Sequence, residues 1–265
     1  MFKTLTILFF VFCCINDAQA QNIKKFLAFD GEDDYVSIID TLTTQPQLKI
    51  NDNLTVDTWI YFKSFEKPMT IISMGQIQVS TEKKQLLYCM TMNADKSVRF
   101  EWETNNGVDV IINSSPFNIK EKQWYHIAVT RDVKEAIVSF YLDGKKVGNY
   151  AFNPKEQPYG GQIGHCTLGA RITEKGAVYF PFKGMFDKIR VWNVVLPETR
   201  IRSYSNINFI GFEPELVASY QFSDGKCNDD NNQENTHLFD YTEHHNHGIL
   251  YNFQLKGKDS NWICW

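Results

Sequence analysis

Three observations predict an all-β fold, a two-sheet antiparallel β-sandwich carrying one short helix. The first is a period of two in apolar character. Between Asn53 and Phe62, the residues Val56, Thr58, Ile60 and Phe62 take one phase, and Asp57, Trp59 and Tyr61 take the other. Val98, Phe100 and Trp102 alternate in the same way with Arg99, Glu101 and Glu103. Successive side chains of a strand point to opposite faces, so the pattern means one face buried and one face wet. Glu101 and Glu103 then belong to the wet face. The second observation is Asp143-Gly144, set between two strand-like runs, 137–142 and 146–152. Asp-Gly accepts the positive φ that a tight hairpin turn requires. The third is the number of short strand-like runs, which suits a sandwich better than alternating strands and helices.

Further strands are expected at 70–74, 85–92, 108–113, 124–130, 166–171, 186–193 and 216–222. The one helix candidate begins near Pro197. Glu198 falls in its first turn and Arg200 and Arg202 later, the order of charge that a helix dipole favours. Residues 223–235 contain no apolar side chain except Cys227, so an exposed loop is expected there. Its oxygens, around Asp229, Asp230, Asn231 and Asn232, suit calcium chemically, but a solvated loop explains them more simply. Residues 248–255 regain alternation, so the tail is expected to fold back as a final strand. His244-His245-Asn246-His247 suits a surface turn better than a tetrahedral zinc site. His126, beside Trp124 in an alternating run, suits a hydrogen-bonded core position better than a catalytic one.

The first twenty residues have the form of a secretory signal peptide. Lys3 gives the positive start, residues 5–15 a short apolar run, and Ala18-Gln19-Ala20 a small-x-small cleavage site. Cleavage after Ala20 is expected, leaving residues 21–265 as a single domain. The apolar run is shorter than the roughly 20 residues that span a bilayer, and no later segment is long and apolar enough. The expected location is therefore extracellular. The net charge is -4, with no basic excess to neutralise phosphates, which argues against nucleic acid as a partner. Cys89, Cys166, Cys227 and Cys264 remain after cleavage, an even number in an oxidising compartment. Three pairings are open; the one favoured joins Cys227 to Cys264, stapling the tail, and Cys89 to Cys166. No spacing is Cys-x-x-Cys, so zinc and thiol-redox roles are disfavoured.

Several segments share an order seen in one known family. They are Leu27-Ala28-Phe29-Asp30-Gly31 through Tyr35-Val36, Leu54-Thr55-Val56-Asp57-Thr58-Trp59-Ile60, and Trp124-Tyr125-His126-Ile127-Ala128-Val129. Phe140-Tyr141-Leu142-Asp143-Gly144, Thr167-Leu168-Gly169-Ala170 and Phe186-Asp187-Lys188-Ile189-Arg190-Val191-Trp192 continue it. Leu216-Val217-Ala218-Ser219-Tyr220 and Gly248-Ile249-Leu250-Tyr251 close it. Together they resemble the laminin G-like domains of the concanavalin A-type lectin and glucanase superfamily. The resemblance implies a jelly roll of two antiparallel sheets. It also implies that Asp30 and Asp187 approach one another. A calcium ion held by Asp30, the Gly31 carbonyl and Asp187 would then satisfy a carboxylate in an apolar strand. Asp33 and Asp34 cluster in the same turn; the simpler alternative pairs Asp187 with Lys188 or Arg190.

Aromatic residues are abundant, and sugar binding uses aromatic faces that are not committed to a core. Tyr159, Tyr179, Trp262 and Trp265 lie outside the clearest strands and are the expected ligand contacts. Asn53-Leu54-Thr55 and Asn113-Ser114-Ser115 are glycosylation sequons, Asn113 the better placed at a strand end. The chain lacks the strand-borne Glu-x-Asp-x-x-Glu arrangement of glycosidases with this fold, and also Gly-x-Ser-x-Gly and His-Glu-x-x-His. The expected function is a non-catalytic extracellular module that binds a glycan or glycoprotein, with a structural calcium. The alternatives are an adhesion component assembling through protein contacts, or a degenerate glycoside hydrolase.

Overall fold

The computed structural model describes residues 24–39, 47–78, 83–158, 165–206, 213–227 and 230–265. The first nine strands are β1 (Lys25–Asp30), β2 (Tyr35–Ile39), β3 (Leu54–Phe62), β4 (Met69–Gln78), β5 (Lys83–Met92), β6 (Val98–Glu103), β7 (Asp109–Asn113), β8 (Trp124–Asp132) and β9 (Ile137–Leu142). The next five are β10 (Lys145–Ala151), β11 (His165–Leu168), β12 (Arg171–Ile172), β13 (Val178–Tyr179) and β14 (Lys183–Trp192). Helix α1 (Glu198–Asn206) precedes β15 (Leu216–Tyr220), β16 (His237–Leu238), β17 (Gly248–Tyr251) and β18 (Asn261–Cys264).

Two large antiparallel sheets result. The first runs β10-β9-β8-β3-β14-β1-β18, with β15 also on β14; the second runs β16-β17-β2-β11-β4-β5-β6-β7. Strand β14 is the seam of the first sheet. Its first half pairs with β1 and its second half with β15, while β3 runs along its other edge. The register against β3 shifts between Phe186 and Lys188, which leaves Asp187 as a bulge residue.

The alternation read from the sequence sets the faces. Leu27, Phe29, Val56, Ile60, Phe62 and Phe186 of the first sheet pack against Val36, Ile72, Met90, Phe100 and Trp102 of the second in one buried core. The predicted helix is present at Glu198–Asn206, with Arg202 paired to Glu198 at 2.8 Å. It lies on the outer face of the first sheet, where Ile201 and Tyr204 pack with Ala128, Tyr141 and Trp192.

Beneath that helix is a buried charge. Asp57 is 2% exposed. Its carboxylate accepts Arg190 Nε at 2.9 Å, a second Arg190 nitrogen, Trp192 Nε1 at 2.8 Å and His126 Nε2 at 3.2 Å. Arg190 also donates to the Tyr204 carbonyl at 3.1 Å, tying α1 to β14. Burial alone would raise the Asp57 carboxyl; the Arg190 guanidinium, with His126, holds it well below the usual carboxylate range.

Several expectations are corrected here. The run 166–171 is not one strand. It breaks at Gly169, where φ is 83° and a Cβ would strike the Phe29 ring, so β12 turns back as a hairpin with β13 beside β4. That hairpin carries Arg171 over the outer face of the second sheet. Glu101 and Glu103 share that face but are 1% and 6% exposed, not wet. Glu101 is clamped between Arg171 and Arg99, the latter at 2.5 Å. The strand expected over 248–255 stops at Tyr251, and β18 supplies the final strand. The polar loop is not fully solvated either: Asn232 is buried and bonds to Lys226, Asn235 and Asn261.

Cys227 and Cys264 form a disulfide, with Cα atoms 5.4 Å apart. Cys89 and Cys166 do not pair; both are free and buried. Cys89 faces Ser73 on β4, whereas Cys166 faces the next residue, Met74. They therefore lie on opposite faces with β4 between them. Two strand spacings are about 10 Å, beyond the roughly 7 Å that a disulfide can bridge.

Removing the Asp57 charge would strand Arg190 in the interior. Asp57→Asn is expected to cost about 3–5 kcal/mol of stability, read from urea unfolding; a loss under about 1 kcal/mol would contradict this.

Candidate functional site

The outer face of the first sheet is only partly covered by α1. Beyond the helix, Phe26, Ala28, Met185 and Ile263 form a small apolar cluster with Tyr61 and Trp124. A cleft of about 290 Å³ opens between this cluster and the end of α1. It is lined by Phe26, Trp59, Trp124 and Trp265, and by Lys24, Asp187, Lys188, Ser205 and Asn206.

Each side chain arrives by a simple rule of the pleat. Trp59 lies two residues beyond Asp57 on β3, and Trp124 two residues before His126 on β8, so both share the outward phase. Lys188 holds the same relation to Arg190 on β14. The bulge turns Asp187 out of the ladder, where its carboxylate meets Lys188 Nζ at 3.3 Å. Trp265 follows β18 and exchanges backbone hydrogen bonds with Lys24, both at 3.2 Å. Its ring stands edge-on to Tyr61 at 5.1 Å, Phe26 at 5.8 Å and Trp124 at 6.2 Å. It remains 59% exposed. The cleft thus offers aromatic surface beside donors and acceptors of both signs, a lining suited to a polar molecule with an apolar face. A larger cleft of about 410 Å³ beside Gly31 includes Glu32, Glu66, Lys67 and Lys183 but only one aromatic ring, Phe180. It lacks a stacking platform.

Two residues singled out from sequence, Asp187 and Trp265, therefore meet in one cleft, though not in the roles expected for both. Trp262 is corrected: it is fully buried. It pairs in register with inward Leu27, whereas Ile263 pairs with outward Phe26, which puts Trp265 in the outward phase. Tyr179 is 45% exposed but lies in the hairpin, opposite Arg171 and away from the cleft. Tyr159 and Asp229 lie outside the described residues. His126 is a buried hydrogen-bonded histidine, as its alternation suggested. Asn113 is exposed at the end of β7, while the Asn53 side-chain oxygen accepts the Val133 N–H at 3.0 Å.

The calcium set is also corrected. Leu27 pairs with Phe186 and Asp30 with Lys183. Asp187 consequently lies four residues along the strands from Asp30, about 13 Å away, and the two cannot share an ion. What the opening turn does gather is Asp30, Asp33 and Asp34, with carboxylate oxygens within 4.8 Å of one another. Asp34 is fully buried. It accepts the Asp30 N–H and the Ser260 hydroxyl, each at 2.9 Å. Burial, with added repulsion from Asp30 and Asp33, pushes its carboxyl up to about 7. Three clustered oxygen donors fit the chemistry of a hard cation.

Sequence reasoning missed Trp59, Trp124, Phe26 and Lys24. The usable signal was phase: Trp59 and Tyr61 are large aromatics on the outward face of an alternating strand, shared with charged Asp57.

Two antiparallel sheets packed face to face, with an outer face left open at one end, define the class as a concanavalin A-like jelly roll. The model of the laminin G type within the concanavalin A-like lectin/glucanases superfamily matches residues 30–202, and the chain belongs to that family. No sequence match to a curated protein reaches significance. Among solved structures, a heptameric SAP-like pentraxin from Limulus polyphemus is 18% identical, with a TM-score of 0.51 over 71% of this chain and 84% of that one. The CBM40 of a Ruminococcus gnavus IT-sialidase, bound to α2,3 sialyllactose, is 13% identical, with a TM-score of 0.55 over 70% of this chain and 98% of that one. A leech intramolecular trans-sialidase is 13% identical, with a TM-score of 0.56 over 72% of this chain but 28% of that one. These likenesses are of fold.

The raised Asp34 carboxyl predicts a pH dependence. The folded state holds a proton there that the unfolded state loses near pH 4. Stability from this group is therefore full below about pH 4 and is lost as pH rises through about 7. In chelator, Asp34→Asn should match the parent protein at pH 4. By pH 8 it should be more stable, by up to about 4 kcal/mol, in urea unfolding. Equal stability at both pH values would contradict the assignment.

Proposed function

We propose that this protein is a secreted, non-catalytic module that binds glycans through the aromatic cleft. The observation that carries the reading is the grouping of Trp59, Trp124 and Trp265 with Lys24, Asp187 and Asn206 around one solvent-open cleft. The apolar face of a pyranose can stack on an exposed indole, while its hydroxyls need flanking donors and acceptors. The sugar-bound CBM40 gives general support, as a neighbour in fold whose recorded ligand is a glycan. The Cys227–Cys264 disulfide supports an oxidising, extracellular setting. No helix among the described residues is long and apolar enough to cross a membrane. Placing both partners of a glycosidase pair on Glu101 and Glu103 is disfavoured, because Glu101 is buried in its clamp of two arginines. Glycoprotein partners enter the proposal through the glycans they carry.

A calcium ion on the Asp30, Asp33 and Asp34 turn is the second part of the proposal. It would neutralise a buried carboxylate and brace the turn between β1 and β2. Its role there is structural, since the cleft lies on a different face.

Two outcomes are expected. On a glycan array, the protein should bind a selective set of sugars, and Trp265→Ala should weaken that binding roughly tenfold while leaving the protein folded, at a stability cost of about 1–3 kcal/mol. Retained affinity in Trp265→Ala would move the site elsewhere, and absence of all glycan binding would end the reading. Separately, calcium should raise the melting temperature by a few degrees at pH 8, and Asp30→Asn should abolish the rise. An identical melting temperature in calcium and EDTA would remove the ion from the account.

A further inference from the structure

We infer that Asn113 carries an N-linked glycan, and that this glycan blocks the free edge of the second sheet. The inference rests on the secreted part of the reading above and not on the aromatic cleft.

Strand β7 ends the second sheet, and no described strand pairs with its other side. A free strand edge is a template for pairing with another chain unless something blunts it. The other sheet ends are blunted in known ways. Strand β10 carries Lys145, Lys146 and a bulge at Val147, and β16 and β18 are only two and four residues long. Strand β7 has neither lysine nor bulge. It reads Asp109-Val110-Ile111-Ile112-Asn113, with Ile111 exposed and Val108, also exposed, just before it.

The register decides which groups meet solvent. The Ser114 N–H donates to the Val98 carbonyl and the Thr104 N–H to the Val108 carbonyl, both at 2.9 Å. Antiparallel pairs alternate between bonded and non-bonded, so Val110 and Ile112 bond back to β6. Ile111 and Asn113 turn their backbone N–H and C=O groups to the free edge. Paired with Glu101 and Arg99, they also share the outer face of the sheet. Asn113 therefore stands on the unprotected edge, about 7 Å along the strand from Ile111.

Asn113-Ser114-Ser115 is a sequon, and the Asn113 side chain is exposed. Its Oδ1 accepts Asn93 Nδ2 at 3.2 Å, and its own Nδ2 has no partner among the described residues. In the transfer, Nδ2 attacks the anomeric carbon of a lipid-pyrophosphate-linked oligosaccharide. The N–C bond forms, the C–O bond to pyrophosphate breaks, one amide proton is lost and the lipid pyrophosphate leaves. The product is a bulky, solubilising group placed where a second strand would dock. The other sequon is less open. Asn53 is half-buried with its Oδ1 accepting the Val133 N–H at 3.0 Å, and the next two residues, Leu54 and Thr55, are fully buried.

The test is expression of the full chain in a eukaryotic secretory host. Protein from the medium is treated with peptide N-glycosidase, which leaves an aspartate at each occupied site, and peptide mass spectrometry maps the sites. Asn113 should be occupied, and Asn113→Gln should lose that sugar. In sedimentation velocity, Asn113→Gln should shift to larger species than the glycosylated protein at the same concentration. Adding Ile111→Lys, the blunting device of β10, should reverse the shift. Enzymatic removal of the sugar from the folded parent protein should produce the same shift, and it supplies the bare edge if Asn113→Gln fails to fold. Secreted protein with Asn113 unmodified would overturn the inference and leave secretion standing. A bare edge that produces no shift would overturn the blocking role. A chain that is not secreted would overturn this inference together with the secreted reading.

Discussion

The buried carboxylate of Asp57 is the constraint on which the outer half of this protein depends. A charge in the interior is tolerated only when its lone pairs are filled, and here β8, through His126, and β14, through Arg190 and Trp192, supply donors to one oxygen pair on β3. Arg190 extends the network to the carbonyl of Tyr204 and so docks the helix. The apolar alternation already opposes a slip of one residue, and the hydrogen-bonded carboxylate adds to that, because the same slip would turn Asp57, His126 or Arg190 to the opposite face. The cleft inherits that precision. Trp59, Trp124 and Lys188 are each one pleat away from a member of the network, so fixing the network fixes three walls of the site.

The second sheet uses the same device differently. Arg171, brought back by the turn at Gly169, closes over Glu101 and Cys89, with Arg99 on the far side of the carboxylate. In the inward face, Arg131 is fully buried and satisfied by carbonyl oxygens of Leu87, Ile50 and Asp52 while lying over the Trp102 ring. Both are structural solutions to buried charge, and Arg171 covers the centre of the second sheet's outer face, while Ile111 and Tyr251 on its outer strands stay exposed. The first sheet keeps an open cleft. The two sheets of the sandwich therefore differ in availability to a ligand, although both are built from the same alternating pattern.

Most of the fold was legible in the sequence, since period-two alternation, Asp143-Gly144 and the charge order of residues 198–202 are local signals. The family segments were legible too, but their meaning was not. Leu54–Ile60, Trp124–Val129 and Ile189–Trp192 look like three separate strand motifs, and only the fold shows that Asp57, His126 and Arg190 are one network. The misreadings have a common physical origin. Alternation puts Glu101 and Glu103 in water because it reports two faces and cannot report what a distant hairpin lays over one of them. The resemblance implies that Asp30 and Asp187 meet, but their separation depends on register, which the run of residues does not contain. Cys89 and Cys166 fail to pair for the same reason, being one residue out of phase across β4. Trp262 on β18 and Trp265 just after it differ in phase, and one is core while the other lines the cleft.

The central claim is that a sugar ring sits on the outer face of the first sheet. A crystal structure of the protein with an array-selected glycan tests it most directly. The account predicts a pyranose ring against Trp124 and Trp265, with its polar substituents reaching Lys24, Asp187 and Asn206. A ring seated instead on the outer face of the second sheet, or at the Asp30–Asp34 turn with the cleft vacant, would contradict it.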